Sequence, residues 1–413
     1  MHILIVSCVY PPEPVVSAQT SSQIASELTH ANHTVTVITS FPNRPAGKLF
    51  PSYKRRFVHR EETKNGITVV RCYTTLSSES RIISRFLENL SFGLTGGWQV
   101  LVSERPKIIY ANSWPIIATA IIFLIAKLRQ IPLVISVQDV YPEALVAQMR
   151  IRENSFLARL MRWVDSIIAR HSNHVIVISD HFAEIYRDQR RVPTHRLSLV
   201  PNWIDNNLID VNISRQQFRQ RQSIGEQKFL LVYGGNIGVA AGVEMVIEAF
   251  RFLTDQQDVQ LLVAGAGSQL AACQALANTM TGQPVLFHSP WAAEETSEVL
   301  RAADILVLPT HKEQSLASVP SKLLSYMLSG RPVLATAIPG SDLANLVERS
   351  QCGWVVEPDR PDRLAETIRE IMHLGAAELE DRGEKGRQFV LTHFSKDVCL
   401  PKVIQILEEA AKQ

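Results

Sequence analysis

Several signals that would narrow this sequence quickly are missing. Its five cysteines (Cys8, Cys72, Cys273, Cys352, Cys399) are scattered, odd in number and free of Cys-x-x-Cys or Cys/His spacing. That argues against a disulfide framework or a zinc site and points to a reducing compartment. No Asp-x-Asp occurs, and no Gly-x-Gly-x-x-Gly follows the first apolar run, which disfavours a nicotinamide-dependent oxidoreductase. The N-terminus, MHILIVSCVYPPEP, lacks a basic leader and turns at Pro11, so it reads as a buried first strand rather than a secretory signal. In WPIIATAIIFLIAKL (114–128) the apolar run stops at Lys127. It falls short of the roughly 20 residues a bilayer needs, so a buried crossing helix is expected. Low-complexity tracts and short repeats are absent.

What is present is ordinary globular composition, 46% hydrophobic and 20% charged over 413 residues, enough for two domains. The net charge of +2 hides an asymmetry. Residues 1–205 carry 23 Lys and Arg against 15 Asp and Glu, while residues 206–413 carry 19 against 25. The first half is therefore +8 and the second −6, which suggests a basic face meeting something anionic, or a chance distribution over solvated surface. Two basic stretches with interleaved apolar residues lie in the first half, KRRFVHR (54–60) and SRIISRFLENLSFGL (80–94). In the second, Ile82, Ile83, Phe86, Leu87 and Leu90 share one side at helical spacing, beside Arg81 and Arg85. Either an interfacial helix on an anionic membrane surface or a core-facing amphipathic helix would show that pattern. No nucleic-acid partner is expected, because no recognised module accompanies the basic residues.

Apolar runs recur between helix-length segments. HILIVSCVY (2–10), HTVTVIT (33–39), KIIYAN (107–112), LVISVQD (133–139), HVIVIS (174–179) and RLSLVPN (196–202) form one series. FLLVYGG (229–235), VQLLVAGAG (259–267), PVLFHSP (284–290), DILVLP (304–309), PVLATAI (332–338) and GWVVEP (353–358) form another. Near-continuous Val/Ile/Leu strands alternating with helices predict an α/β chain of two doubly wound, Rossmann-like domains with parallel sheets, facing one another across a ligand cleft.

Chemistry is expected at the carboxyl ends of these strands. Gly234-Gly235-Asn236-Ile237-Gly238 lies between a strand and the helix expected at Val243–Phe250, where glycine lets backbone N–H groups approach phosphate. A plain tight turn is the alternative. Pro320 and Ser321 open a helix expected at Ser321–Leu328, with Ser321 placed to cap it. Lys322 sits at that terminus, where its charge opposes the helix dipole unless an anion binds, or unless the side chain turns to solvent. Asp139, ending a strand, is a candidate to orient or deprotonate a hydroxyl, or else caps the VYPEA turn. Glu13 is a second candidate acid/base at the first strand end. His33 is expected to bond locally, and Asn202 and Asp205 to fix a hinge through Asx-type bonds.

In order along the chain, ILIVSCVYPPEP, IASELTHANHTVTVITS, VPNWID (200–205), YGGNIGVAAGVEMVIEAF, LLVAGAGSQ and VPSKLLSYMLSGRPVLAT resemble the motifs of glycosyltransferase family 4, retaining nucleotide-sugar transferases of GT-B fold. VQDVYPEA and VPSK are similar to the subgroup that builds bacterial surface polysaccharides. The resemblance implies an N-terminal acceptor-binding domain (1–205), a C-terminal donor-binding domain (206–390) and a C-terminal helix (391–413) returning to the first domain. It implies transfer from a nucleoside-diphosphate sugar to a glycan or lipid-linked acceptor, at the cytoplasmic face of a membrane, with neither metal nor other cofactor. Gly235, Asn236, Gly238, Gly265, Gly267, Ser321, Lys322 and Ser325 would bind the donor, and Asp139, Glu13 and Glu313 are the catalytic candidates. The sequence departs from the family pattern at Ser325 and Ala317, where Glu-x7-Glu is usual, and at Asn236 and Ala241, where basic residues are usual. Those departures leave open a catalytically lapsed scaffold, or another GT-B enzyme such as a nucleotide-sugar epimerase.

Overall fold

Strands rich in Val, Ile and Leu on both faces are stable only when helices cover both sides of the sheet. The computed structural model shows that arrangement twice; it describes residues 1–44, 46–76, 82–147, 149–282, 284–312 and 320–412. One compact unit comprises residues 1–202 with 399–413, and the other residues 203–398.

The first unit contains β1 (His2–Val6), α1 (Val16–His30), β2 (Thr34–Ser40), β3 (Val58–Glu62), β4 (Thr68–Cys72), α2 (Ile82–Val102), β5 (Ile108–Asn112) and α3 (Ile116–Leu128). It continues with β6 (Leu133–Val137), α4 (Glu143–Ala147), α5 (Phe156–His171), β7 (His174–Val177), α6 (Asp180–Glu184) and β8 (Leu197–Leu199). Its sheet runs β3-β4-β2-β1-β5-β6-β7-β8. All pairs are parallel except β3–β4. Six of its strands coincide with the expected apolar runs; the β3–β4 pair was not anticipated. Residues 58–60 of the basic stretch KRRFVHR lie in β3, an edge strand whose polar run, His59–Glu62, reads as surface.

The second unit contains α7 (Arg215–Arg221), β9 (Phe229–Gly234), α8 (Val243–Ala249), β10 (Val259–Ala264), α9 (Leu270–Ala277), β11 (Val285–His288), α10 (Thr296–Ala302) and β12 (Ile305–Leu308). Then come α11 (Ser321–Leu328), β13 (Val333–Thr336), α12 (Asp342–Ser350), β14 (Gly353–Val356), α13 (Pro361–Met372) and α14 (Ala376–His393). Its six strands, in the order β11-β10-β9-β12-β13-β14, are all parallel. The last helix, α15 (Lys396–Ala410), crosses from this unit into the first. There it buries Cys399, Leu400, Val403 and Leu407, and Glu408 bonds His33 at 3.0 Å.

Strand order reverses at β1/β5 in one sheet and at β9/β12 in the other. At such a switch point the connecting helices leave on opposite faces, and the strand ends open a crevice suited to a ligand. Among the described residues no helix is long and apolar enough to cross a membrane. All five cysteines are buried, and none forms a disulfide.

Candidate active site

In the second unit the loops after β9 and β12 flank the switch point. Strand β9 ends at Gly234, whose N–H donates to the hydroxyl of Tyr326 in α11 (2.8 Å), while that hydroxyl donates back to the Gly234 carbonyl (3.0 Å). Tyr326 is fully buried, which raises its pKa and keeps it a neutral two-way connector. One turn earlier on α11, Lys322 reaches over the same loop. Its Nζ donates to the Tyr233 hydroxyl (2.7 Å), comes within 3.5 Å of the Asn236 carbonyl oxygen, and lies 4.9 Å from the Tyr233 ring centroid. The Tyr233 hydroxyl in turn donates a hydrogen bond to the Asn236 carbonyl (2.6 Å).

Lys322 therefore touches neutral oxygens and a ring face, and among the described residues no carboxylate pairs with it. Desolvation pulls its pKa down from 10.5 to about 8. An ammonium without a counter-charge is a place for an anion. The alternative of a lysine turned out to solvent does not hold.

The glycines have a packing use beside the one anticipated. Gly235 has φ +149°, and a Cβ there would sit 2.2 Å from Lys322 Cε. A Cβ on Gly265 (φ +144°) would lie 1.9 Å from the Gly235 oxygen, and one on Gly267 2.2 Å from the Ile237 oxygen. Their absence lets the β9 and β10 loops and the lysine stem pack in direct contact. The N–H groups of Gly235, Ile237 and Gly265 already donate to Ala264, Ala266 and His288 carbonyls (2.9, 2.9 and 3.0 Å). These three amides are engaged in holding the loops together. Gly238 leads into a short 3-10 turn, Val239–Ala241, before Gly242 (φ +61°) and α8. Helix α11 spans the expected residues, but its N-cap is Pro320 and no side chain caps it. Ser321 is the exposed first helical residue rather than the cap, and Ser325 is half-buried beside Tyr326.

His311, one residue past the buried Thr310–Thr336 hydrogen-bond pair, was not singled out by the sequence. Its Nδ1 meets Asp359 and its Nε2 meets Glu244, both at 2.9 Å, and the Asp359 bond leads in raising its pKa. It ties the loop after β12 to α8 and to the segment after β14. Glu313 and Ala317 lie outside the described residues, as does Arg81.

In the first unit, Glu13 is buried. Its Oε1 accepts from the N–H groups of Asn43 and Arg44 (both 2.9 Å) and its Oε2 from that of Tyr10 (3.3 Å). Burial raises its pKa while these three bonds oppose the rise. The geometry is that of a pin for two loops, not of a carboxylate presented to substrate. Asp139 lies two residues past β6 and is exposed, although partial desolvation of its carboxyl raises its pKa. The VYPEA turn after it is held by Arg190, whose Nη2 donates to the Tyr141 carbonyl (3.1 Å) and to Glu143 (2.7 Å). Asp139 stays out of that network. Asp205 makes its expected Asx bond, accepting from the Asn207 N–H (2.9 Å). Among the described residues no group of three or more His, Cys, Asp or Glu is placed to hold a metal ion.

Two family models match this chain: a glycosyl transferase 4-like domain over residues 17–203, and glycosyl transferases group 1 over residues 228–373. The chain belongs to glycosyltransferase family 4. Among the relatives of this family 4 glycosyltransferase is the Escherichia coli "Putative colanic acid biosynthesis glycosyl transferase WcaI", 23% identical over 91% of the chain and 93% of WcaI. Of solved structures, WaaG, a glycosyltransferase involved in lipopolysaccharide biosynthesis, superposes with TM-score 0.69 at 18% identity, covering 98% of this chain and 99% of WaaG. Anabaena Alr3699/HepE in complex with UDP gives 0.70 at 14% identity, covering 99% and 100%. HepE is also known with UDP-glucose. These likenesses identify the fold as GT-B. The family 4 enzyme thus carries its Gly-rich loops and Lys322 where the GT-B sheet of its second unit switches direction.

Proposed function

We propose that this glycosyltransferase moves a sugar from a nucleoside-diphosphate donor to a glycan or lipid-linked acceptor, with retention of anomeric configuration, in surface-polysaccharide synthesis. The observation that carries the donor assignment is Lys322, a desolvated ammonium beside the Gly235–Gly238 loop with no described carboxylate partner. When the bond between the anomeric carbon and the diphosphate oxygen breaks, its electrons go to the diphosphate. A cation already stripped of water stabilises that growing charge more than a solvated one would. The acceptor hydroxyl forms the new bond to the anomeric carbon, and its proton leaves with the departing diphosphate. Asp139 is the proposed group that orients the acceptor hydroxyl, since it is exposed at a strand's carboxyl end and its raised pKa suits proton sharing. Ser325 is proposed to meet the ribose.

The names of WcaI, WaaG and HepE support polysaccharide or lipopolysaccharide chemistry and a uridine donor. The test is a panel of UDP-, GDP- and ADP-sugars read by thermal stabilisation, followed by NMR of the product anomer. A donor at 100 times its Kd stabilises by about 2.7 kcal/mol. No stabilisation by any donor overturns the donor assignment, and an inverted product overturns retention.

A further inference from the structure

We propose that an arginine cluster at the amino end of the second unit's sheet, centred on Arg331, is a binding site for a phosphate group, either free phosphate or the phosphate of a larger molecule. It lies at the opposite end of the sheet from the Lys322 loops and holds whether or not Lys322 meets a diphosphate.

The sheet sets its place. Asp304 immediately precedes β12 and Arg331 stands two residues before β13, so both sit at strand starts, whereas the donor loops follow strand ends. Helix α11 links the two ends: Lys322 is in its first turn and Arg331 follows its last, about 12 Å along the axis at 1.5 Å per residue. The turn that carries Arg331 is clamped between helices. A Cβ on Gly330 would lie 3.6 Å from Nη1 of Arg301 in α10 and 3.7 Å from Cδ of Arg387 in α14. One on Gly383 of α14 would lie 2.3 Å from the Gly330 oxygen and 3.1 Å from Arg331 Cα. Arg331 therefore projects from a fixed backbone, and Arg301 and Arg387 converge on the same turn.

What these arginines lack is a partner. Arg331 is only 5% exposed, yet among the described residues it makes no hydrogen bond or ion pair, and its Nε is buried without an acceptor. The Nε atoms of Arg301 and Arg387 are in the same position. Arg301 has one bond, from Nη1 to the Ser329 carbonyl (3.0 Å), and Arg387 one ion pair, at 4.0 Å from Glu384. Desolvation, then the charges of Arg215 and Arg301, pull the Arg331 pKa down to about 9. The carboxylates around the cluster are committed or remote. Asp304 accepts from Arg215, from Arg219 (2.6 Å) and from the Leu230 N–H (2.7 Å). Glu298, one turn before Arg301, pairs with Arg221. Asp210 and Glu380 are exposed and act on the cluster only through space.

An arginine that merely ends a helix bonds its last carbonyls, as Arg301 does at Ser329. Arg331 does not. Buried polar groups are ordinarily matched, and an unmatched guanidinium is costly to keep from water. A phosphate offers oxygens in several directions and up to two charges, so three converging guanidinium forks can share it; a lone carboxylate has two oxygens in one plane.

The experiment titrates the full chain, in chloride buffer at constant ionic strength, with inorganic phosphate, and reads binding by calorimetry and melting temperature. At ten times its Kd, phosphate should raise the melting temperature by about 3 °C. Arg331→Met and Arg301→Met should each weaken binding about tenfold. Without phosphate, Arg331→Met should melt no lower than wild type, since it removes an unmatched charge; a purely structural arginine would lower it. Arg387→Gln, at a half-buried helix position, should weaken binding about threefold and serves if Arg331→Met fails to fold. Lys322→Met should keep the whole phosphate effect, which separates this site from the donor loops. Arg363→Gln, exposed on α13, should change nothing. Repeating the titration with glucose 1-phosphate distinguishes the sources: tighter binding than inorganic phosphate assigns the site to a phosphate ester, weaker binding to the free ion. No phosphate binding in wild type, binding unchanged in Arg331→Met, Arg301→Met and Arg387→Gln, or binding lost in Lys322→Met overturns the proposal.

Discussion

Glu13 and Lys322 are both charged, both largely removed from water, and both set just past a parallel strand, one in each unit. Their surroundings differ in one respect. Glu13 has three backbone N–H groups aimed at its two oxygens, so its bonding capacity is used within the fold. Lys322 has a phenol, a ring face and a distant carbonyl, none of them charged. A buried ion whose partners all belong to the protein is structure. One with no counter-charge among the described residues is the one proposed to meet a ligand.

The largest effect that could break this contrast concerns stability at Glu13. Glu13→Ala leaves the N–H groups of Tyr10, Asn43 and Arg44 without an acceptor and should cost about 3 kcal/mol. Chemical denaturation checks it, and a loss below about 1 kcal/mol would show that Glu13 is not a pin.

Next comes Lys322→Met, which should weaken donor binding about 10- to 100-fold and lower turnover further, because the contact strengthens as the leaving group gains charge. It should also leave the fold as stable as wild type or more so, by up to about 3 kcal/mol at neutral pH. The sign follows from the depressed pKa. Protonating Lys322 is harder in the folded chain than in the unfolded one, so the penalty is complete below about pH 8 and disappears as pH approaches 10.5. The variant's stability advantage should vanish over that window, and wild-type donor affinity should decline above about pH 8. Calorimetry at several pH values reads both, and a variant with undiminished affinity removes Lys322 from the donor site.

The smallest effect sharpens the contrast within α11 itself. Ser325→Ala should reduce donor affinity by less than about 1 kcal/mol with turnover unchanged, since a ribose hydroxyl carries no charge that develops during reaction. A turnover defect equal to that of Lys322→Met would contradict the separate roles.

Much of the fold was legible in the residues. Runs such as FLLVYG and VQLLVA are apolar on both faces, which only a covered parallel strand tolerates, and each became one. VHREE escaped because it is a mostly polar edge strand that resembles surface, and TVVRC, although buried between two strands, because Thr68 and Arg71 leave it only a short apolar run. At the site, the positions of Gly235, Gly265 and Gly267 were legible but their use was not. Glycine spacing does not distinguish an amide that meets phosphate from one that meets the neighbouring loop. Lys322 was legible from its place at a helix start. Its contact with Tyr233, 89 positions away, and the Tyr326–Gly234 link arise from packing that no local pattern encodes. Glu13 misled for the same reason, since two of its three donors come from a loop some thirty residues on. For α2, periodicity shows that a helix has two faces and not which of them is covered.

The path of α15 carries a consequence for synthesis. The first unit closes only with residues 399–413, and the whole of the second unit, residues 203–398, is made in between. At about 5–20 residues per second the nascent first unit waits roughly 10–40 s for its last helix. During that time the surface later met by Leu400, Val403 and Leu407, and His33 before Glu408 arrives, stays open on the ribosome. The unit translated first is therefore the one completed last, and the two units mature in the reverse of their order in the chain.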